Sequence, residues 1–541
     1  MTATRQRAYR PALGREAAPG EEAAPGGARG VGGAGWHLVR SHWIFGLLLA
    51  GGLALRLLAE VAYRPALLYI DSAKYLEGPG GTAPQGYRAL LRLLDPAGGF
   101  ALVAAVQHLF GLGMAVALYV VLRRRAAFNH GAPRWVAALA TAPVLLDAYQ
   151  LQLESTIMPD VLFETLIAAG LVLLLWRRTP SARLVAAGAL VLGVAATVRE
   201  IGAVLVVPVV VFAGASAAGA SAAAAAGAAG ASAEAAAGAR AGGRVGWRRR
   251  AGRAVLAAGC FAVPALGYGA GMFVAGGHFG LGSNGPGPEY GRAAAAADCT
   301  TLVVPADERA LCPSPAQTFA LGGIDGLLHS PASPSHTVPV PPGVTRGQLL
   351  DRFSLAVVRQ QPVRVAWSVA RDSVRLFALT RDGNPQVTPI TRWQFQTSYP
   401  VYPRRYSMAF FTRLAQQNNS GGDLVAVRPA ADILRSYQLG GGFTPGPLCA
   451  IFLALGVLGA LRRRSGLAPA GLAGACALVT LAAVVLLVGS DAFEFSWRYQ
   501  LPAVVMLPLA GALGLTALGS RRPAARQEQT MPLRGTLRLT K

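Results

Sequence analysis

Charge is what this chain has least of. Only 14% of its 541 residues are Asp, Glu, Lys or Arg, and acids are the scarcer kind, 26 against 50 bases. A soluble domain carries about 25% charge, so most of this chain is not made to face water. Histidine (7) and cysteine (5) are also few, and no spacing of the two would hold a metal. No Walker motif is present, which leaves ATP without support as a direct substrate. No cleavable signal peptide is apparent either. The first forty residues are polar and rich in Gly, Ala and Pro. They read as a disordered lead into a first span that serves as an uncleaved anchor.

What fills the chain instead is apolar. Hydrophobic residues make up 53%, and the mean hydropathy is +0.41. A membrane helix needs roughly 20 mostly apolar residues. About ten such runs are found, centred near residues 52, 111, 143, 167, 191, 207, 264, 454, 478 and 508. The net charge of +24 invites a nucleic-acid reading, but its distribution argues for a membrane. Basic clusters at Arg5 to Arg40, Arg123 to Arg125, Arg177-Arg178, Arg248 to Arg250, Arg462 to Arg464 and Arg521-Arg522 fall on one side if the spans alternate. Cytoplasmic loops collect Lys and Arg in this way. The expected fold is therefore an all-α polytopic membrane protein with about ten transmembrane helices. It would sit in the plasma membrane among lipids, both termini cytoplasmic, with no nucleic-acid partner.

The expected organisation is a cytoplasmic N-terminus (1–42), then an N-terminal membrane core (43–212) whose first outside loop is 64–99. An Ala/Gly-rich cytoplasmic linker (213–250), a span (251–277), an extracytoplasmic loop or domain (278–445), C-terminal spans (446–520) and a cytoplasmic tail (521–541) come after it. The linker is low in complexity and carries no chemistry. The 278–445 region is too long for a passive loop. Within it Leu349, Phe353, Val357, Ala366, Val369, Ala370, Val374 and Phe377 recur at helical spacing among five arginines, with Pro362 as a break. Such a basic amphipathic stretch, with Trp367, suits a membrane interface. The packed face of a small outside domain suits it equally. Cys299 and Cys312 lie in the same region, where a disulfide and two free thiols are the alternatives. Cys260, Cys449 and Cys476 lie in spans, as small apolar residues.

Ionisable groups gather at the outer ends of the spans. The acids are Asp71, Glu154, Asp160, Asp491 and Glu494; the bases are Lys74, Arg88, Arg199 and Arg498. A charge at the bilayer is costly unless paired or solvated, so each is a functional candidate. Both signs on one face suit sugar transfer from an anionic lipid-linked donor to a neutral acceptor. A carboxylate would take the proton of the acceptor hydroxyl, and arginines would hold the departing phosphate. Each residue also has a plainer reading. Asp71 suits a helix N-cap. Asp160, after Pro159, suits a helix dipole. Glu154 suits a solvated loop, Arg199-Glu200 an ion pair within a turn, and Trp497-Arg498-Tyr499 an interfacial anchor. Arg56 and Glu60, four apart, suit a structural pair, and His108 a packed core histidine.

Four segments together resemble the GT-C glycosyltransferases. They are Asp71-Ser72-x-x-Tyr75, Leu153 to Glu164 with its acid pair Glu154 and Asp160, Thr197-Val198-Arg199-Glu200-x-Gly202, and Arg498-Tyr499-Gln500-Leu501-Pro502. The likeness is to the protein O-mannosyltransferase and lipid A aminoarabinose transferase branch, the glycosyltransferase family 39-like enzymes. It covers about residues 43–210 and the last span. The resemblance implies a GT-C-like fold, a polyprenyl-phosphate sugar donor and an extracytoplasmic active site and acceptor. It also implies a first-loop catalytic Asp. Carried over, that is Asp71, with Glu154 or Asp160 as second acid. Lys74, Tyr75, Arg88, Arg199, Arg498 and Tyr499 are then candidates for donor phosphate and substrate. Many members carry two adjacent acids in the first loop. Here Ser72 follows Asp71, which weakens a metal-binding version and leaves a divalent metal open. The 278–445 region matches no known pattern and leaves the acceptor undefined. A transporter or lipid flippase and a non-catalytic envelope assembly protein are the competing readings.

Overall fold

The structure, a computed structural model, describes residues 31–77, 84–129, 133–216, 235–276, 279–282, 289–381, 383, 387–402, 406–421, 423–462 and 470–520. The N-terminal basic stretch up to residue 30, the middle of the expected linker, Arg463-Arg464 and the tail from Arg521 lie outside them. Residues 1–43 and 44–541 form separate units, and the buried core belongs to the second. Among the described residues, strand is confined to a two-residue antiparallel pair, Tyr63–Arg64 with Val425–Ala426.

The helices, in chain order, begin with α1 (Val31–Ala62), α2 (Ser72–Leu76), α3 (Gly86–Asn129), α4 (Arg134–Leu139), α5 (Ala142–Leu146) and α6 (Ala148–Glu154). Then come α7 (Asp160–Leu175), α8 (Ala182–Val198), α9 (Glu200–Ser216, opening with a 3-10 turn) and α10 (Ala235–Gly276). Next is a run of shorter helices: α11 (Tyr290–Ala296), α12 (Ala306–Arg309), α13 (Pro315–Leu321), α14 (Gly323–His329), α15 (Pro334–Thr337), α16 (Arg346–Gln360), α17 (Pro362–Ser373), α18 (Met408–Gln417) and α19 (Arg428–Leu439). Three apolar helices, α20 (Gly446–Leu461), α21 (Ala470–Asp491) and α22 (Trp497–Gly519), close the chain.

Among the described residues, five helices are long and apolar enough to cross a membrane: His42–Ala62, Gly86–Ala126, Gly246–Val274, Gly471–Asp491 and Trp497–Gly519. They make this a membrane-embedded helical protein. Ala182–Val198, Glu200–Ser216 and Gly446–Leu461 are apolar but shorter. Burial orders them. The apolar window of α22 is 89% buried and that of α1 only 17%, so α22 is the axis and α1 a lipid-side element. Small residues let neighbours close on α22. Gly514 and Gly456 lie where a side chain would strike the facing backbone or helix.

Several expectations need correction. The helix α1 starts at Val31, so residues 31–42 are helix, not a disordered lead. The Ala-rich linker, whose helical character the composition left open, is helix from Ala235, as alanine's helix propensity favours. The third span is three short pieces, α4 to α6. Pro143 lies in the first turn of α5, and the Asp147 side chain accepts from Tyr149 N to restart the helix as α6. The helix α3 also bends, at Gly99 (φ 59, ψ −153), where a side chain would collide with Asn419 and Ser420. Gly99 therefore divides the first-loop part of α3 from the apolar part.

The 289–445 region splits in two. Tyr290, Leu302, Leu311, Leu327, Leu349, Phe353 and Val357 form a core of their own. The apolar positions of α16 thus face a small domain, and the packed-face reading applies to them. From Leu376 onward, Trp393, Phe395, Tyr399, Phe411 and Leu434 join the main core instead. Buried Arg292 ties the two together: it donates to Asp372 (2.6 Å), Ser368 (2.7 Å) and the Asp491 carbonyl. Cys299 and Cys312 are joined as a disulfide. Cys449 and Cys476 are buried free thiols.

Candidate active site

The first loop is stitched to the segment between α6 and α7. Leu67 N donates to the Ser155 carbonyl (2.8 Å) and Ile157 N to the Leu67 carbonyl (3.0 Å). Ser72 accepts from Tyr69 N and donates to the Ile157 carbonyl, both at 2.9 Å. Tyr399 OH donates to the Ala66 carbonyl and accepts from Leu68 N. Ser72, the residue where many members of the resembled family carry a second acid, thus has a structural role here. These bonds fix the position of the loop against the α6–α7 segment.

Asp71 precedes α2 but does not cap it with its side chain. The carboxylate turns instead to Lys74 Nζ (2.8 Å) and Arg498 Nη1 (2.7 Å) and stays about 21% exposed. Arg498 reaches in from the first turn of α22 and also donates from Nε to Asp160 Oδ1 (3.0 Å). Arg199, between α8 and α9, donates to the same oxygen. Asp160 therefore binds two side-chain guanidiniums rather than only complementing a helix dipole, and its Oδ2 is buried without a partner. Arg199 pairs with Asp160 rather than with Glu200. Below the cations lies an aromatic floor. The Tyr499 ring is 5.0 Å from the Arg199 guanidinium and 5.2 Å from that of Arg498, and Trp393 is 5.4 Å from the latter.

Three cations, Lys74, Arg199 and Arg498, meet two carboxylates, Asp71 and Asp160, which leaves one positive charge in excess. Burial alone would raise the Asp71 pKa; the charges of Lys74 and Arg498 outweigh it and hold the carboxyl well below the usual range. Lys74 is raised in turn, first by Asp71. By formal charge the site is thus cationic on balance, with Asp71 partly exposed, which suits an anionic ligand.

Two candidates support the site from behind. Arg88 donates to the Lys74 carbonyl (2.7 Å) and braces α2. The Tyr75 ring packs edge-on against Tyr87 at 5.4 Å. Glu154 belongs elsewhere. It is fully buried and bonds Arg56 Nη2 (2.7 Å), His108 Nδ1 (3.1 Å) and Gln150 (3.4 Å). Arg56 takes Glu154 as its acid in place of Glu60, and donates further to the carbonyls of Gly52, Val144 and Leu145. The solvated-loop reading of Glu154 gives way to this buried ionic cluster, while His108 is, as read, a buried histidine with a partner in the core.

Nothing in the sequence points to what the 289–445 region adds. Arg392 grips both oxygens of Asp325 (3.0 and 3.1 Å) and donates to Tyr69 OH (3.4 Å). The Glu494 carboxylate accepts from Thr388. Burial, then the nearby Asp325, pushes the Glu494 pKa up to about 7. Among the described residues, Asp325, His329 and Glu494 bring ligand atoms within 4.8 Å of one another. One histidine and two carboxylates suit a borderline divalent cation such as Mn²⁺ or Zn²⁺. Arg392 and Thr388 would orient the two carboxylates from outside. Asp325, His329, Thr388 and Arg392 lie in a stretch with no recognisable motif; Glu494, between α21 and α22, stood out as an acid at a span end. Compared with protein-family models, with curated proteins and with solved structures, the chain finds no match.

Proposed function

We propose that the protein is an integral-membrane glycosyltransferase of GT-C type. It would move a sugar from a polyprenyl phosphate to an extracytoplasmic protein, polysaccharide or lipid, by one inverting displacement. The observation that carries this reading is Asp71: a partly exposed carboxylate held between Lys74 and Arg498, with Arg199 and Asp160 directly behind. In the reaction the acceptor oxygen attacks the anomeric carbon as its proton passes to Asp71. The bond from that carbon to the phosphate oxygen breaks, and the electron pair leaves on the lipid phosphate. That phosphate is already anionic and needs cations rather than an acid; Arg498, Lys74 and Arg199 supply them.

The ion pairs give this scheme an order of events. With its two cations engaged, Asp71 is a weak base. An arriving phosphate competes for the same guanidinium and ammonium groups. As they turn to it, Asp71 loses its stabilising partners and its basicity rises. The base is then strongest when the donor is in place.

Ten spans with both termini cytoplasmic remain the preferred topology. Its support is that Arg124, Arg125 and Arg462 bind carbonyls at the opposite end of the bundle from Asp71. The test is transfer in vitro by purified protein with a panel of polyprenyl-phosphate sugars. We expect at least one donor to be used and Asp71→Asn to abolish its use in a stably inserted protein. Retained transfer in that variant would remove Asp71 from the mechanism. The buried Arg56–Glu154–His108 cluster is the one observation that favours a transporter, since ionisable groups inside a bundle often line a substrate path. Substrate flux across vesicles that needs no sugar donor would establish that alternative.

A further inference from the structure

The helix α17 is assembled inside out. Its polar residues Ser368, Asp372 and Ser373 are buried, bonded to Arg292 and Asp491. Of its apolar residues, Val369 is buried and Val365 packs on the small domain, but the rest face outward. Val363, Trp367, Ala370 and Val374 stand at positions i, i+4, i+7 and i+11, one stripe of a 3.6-residue helix. Val363 is 79% exposed, Trp367 70% and Val374 60%. Arg364 and Arg371, each a little over half exposed, run along the next row; Arg364 also donates from Nε to the Ala296 carbonyl (3.2 Å) and lies 3.6 Å from Asp298. A helix in water does the reverse, and a contiguous apolar patch left outside marks a contact surface.

The position of the helix says what covers the patch. Its C-terminal end is fastened to the ends of two apolar helices. Ser373 donates to Asp491 (2.8 Å), the last residue of α21. The following turn, Val374–Phe377, and Ala378 pack on Gly446 at the start of α20, where a side chain would strike the Ala378 carbonyl. The stripe thus ends at the level where α20 and α21 leave the bilayer. Burying Trp and Val at the acyl boundary, with arginines among lipid phosphates, is how an interfacial helix binds.

We infer that α17 lies on the membrane surface at the Asp71 end of the bundle, its Val363–Val374 stripe in the headgroup layer and Arg364 and Arg371 on lipid phosphates. The helix would anchor the small domain of residues 289–357 to the bilayer and fix its height above the site. This inference does not use the transferase reading, and activity is not its readout.

The test uses full-length protein in nanodiscs, with Cys260→Ser and the buried cysteines kept. A fluorophore is placed in turn on Val363→Cys, Ala370→Cys and Val303→Cys; Val303 is 77% exposed on the small domain. Lipid carrying a shallow spin label should quench positions 363 and 370 at least about twofold more than 303, and iodide should do the reverse. Equal behaviour of all three overturns the inference. Replacing part of the phosphatidylcholine with phosphatidylglycerol should deepen quenching at 370 at low salt, and Arg364→Gln with Arg371→Gln should remove that gain. No gain would overturn the arginine contacts and leave the apolar stripe to be judged by the first comparison.

Discussion

Two ionic clusters sit close together in this protein and differ in nearly everything but composition. One joins Asp71, Lys74, Asp160, Arg199 and Arg498 at the end of the bundle; the other joins Arg56, His108, Glu154 and Glu60 within it. In the first, Asp71 is 21% exposed and cations are in excess. In the second, Glu154 is sealed, its main partner is a single arginine, and that arginine also holds three carbonyls of α1 and the broken third span. An exposed carboxylate with surplus cations can exchange partners with a ligand. A sealed one cannot without leaving a buried charge unpaired, which is expensive. Glu60, at the margin of the second cluster, is 29% exposed, so it is exposure combined with surplus cations, and not exposure alone, that sets the Asp71 cluster apart.

Substitutions at the two acids should separate the clusters most sharply. Asp71→Asn is expected to lower transfer by about 10²- to 10⁴-fold, the usual contribution of a general base, with little change in thermal midpoint. Glu154→Ala should do the opposite. It leaves Arg56 buried without its acid, at a cost of about 3–5 kcal/mol, while folded protein keeps its turnover. Midpoint and rate per folded molecule, measured on both variants, decide. If Glu154→Ala kept its midpoint and lost turnover, the comparison would be reversed. A smaller effect should come from Gly111→Ala. Its added carbon would overlap Glu154 Oε1 and come within 2.7 Å of Arg56 Nη2. Overpacking of this kind costs about 1–3 kcal/mol, so the midpoint should fall, with no change in donor KM.

The difference between the clusters was not legible in the sequence, although their members were. Asp71, Glu154 and Asp160 all read as acids at span ends, because hydropathy locates a residue along the bilayer normal and says nothing of rotation about the helix. Glu154 is sealed because Gly111 lets α3 close over it, a contact between positions 43 residues apart. The helical character and the apolar runs were legible because each is a local property. The break at Pro362 between α16 and α17 was legible for the same reason. The orientation of α17 was not. Its periodicity marks an amphipathic helix but cannot say which face the fold buries, and here Arg292 turns the polar face inward. Arg392, Asp325 and His329 were invisible because their meeting with Glu494 and Tyr69 depends wholly on tertiary contacts.

The gentlest probe of the open cluster is Lys74→Met, which removes one of the two cations on Asp71. Asp71 is held low, so its contribution to stability is present above the unfolded value of 3.8 and is lost only as pH falls through the lower folded value. Lys74 is raised, so its contribution survives until pH passes above 10.5, its ordinary value. Between these limits neither group changes its proton count on unfolding. The gap in midpoint between wild type and Lys74→Met should therefore be flat from about pH 5 to 9 and narrow in acid. It should also be small, below about 1 kcal/mol, because Lys74 is 48% exposed and solvent screens the pair. A gap that sloped across neutral pH would mean that Asp71 titrates there. The carboxylate would then be a ready base without any donor, and the idea that the arriving phosphate frees it would fail.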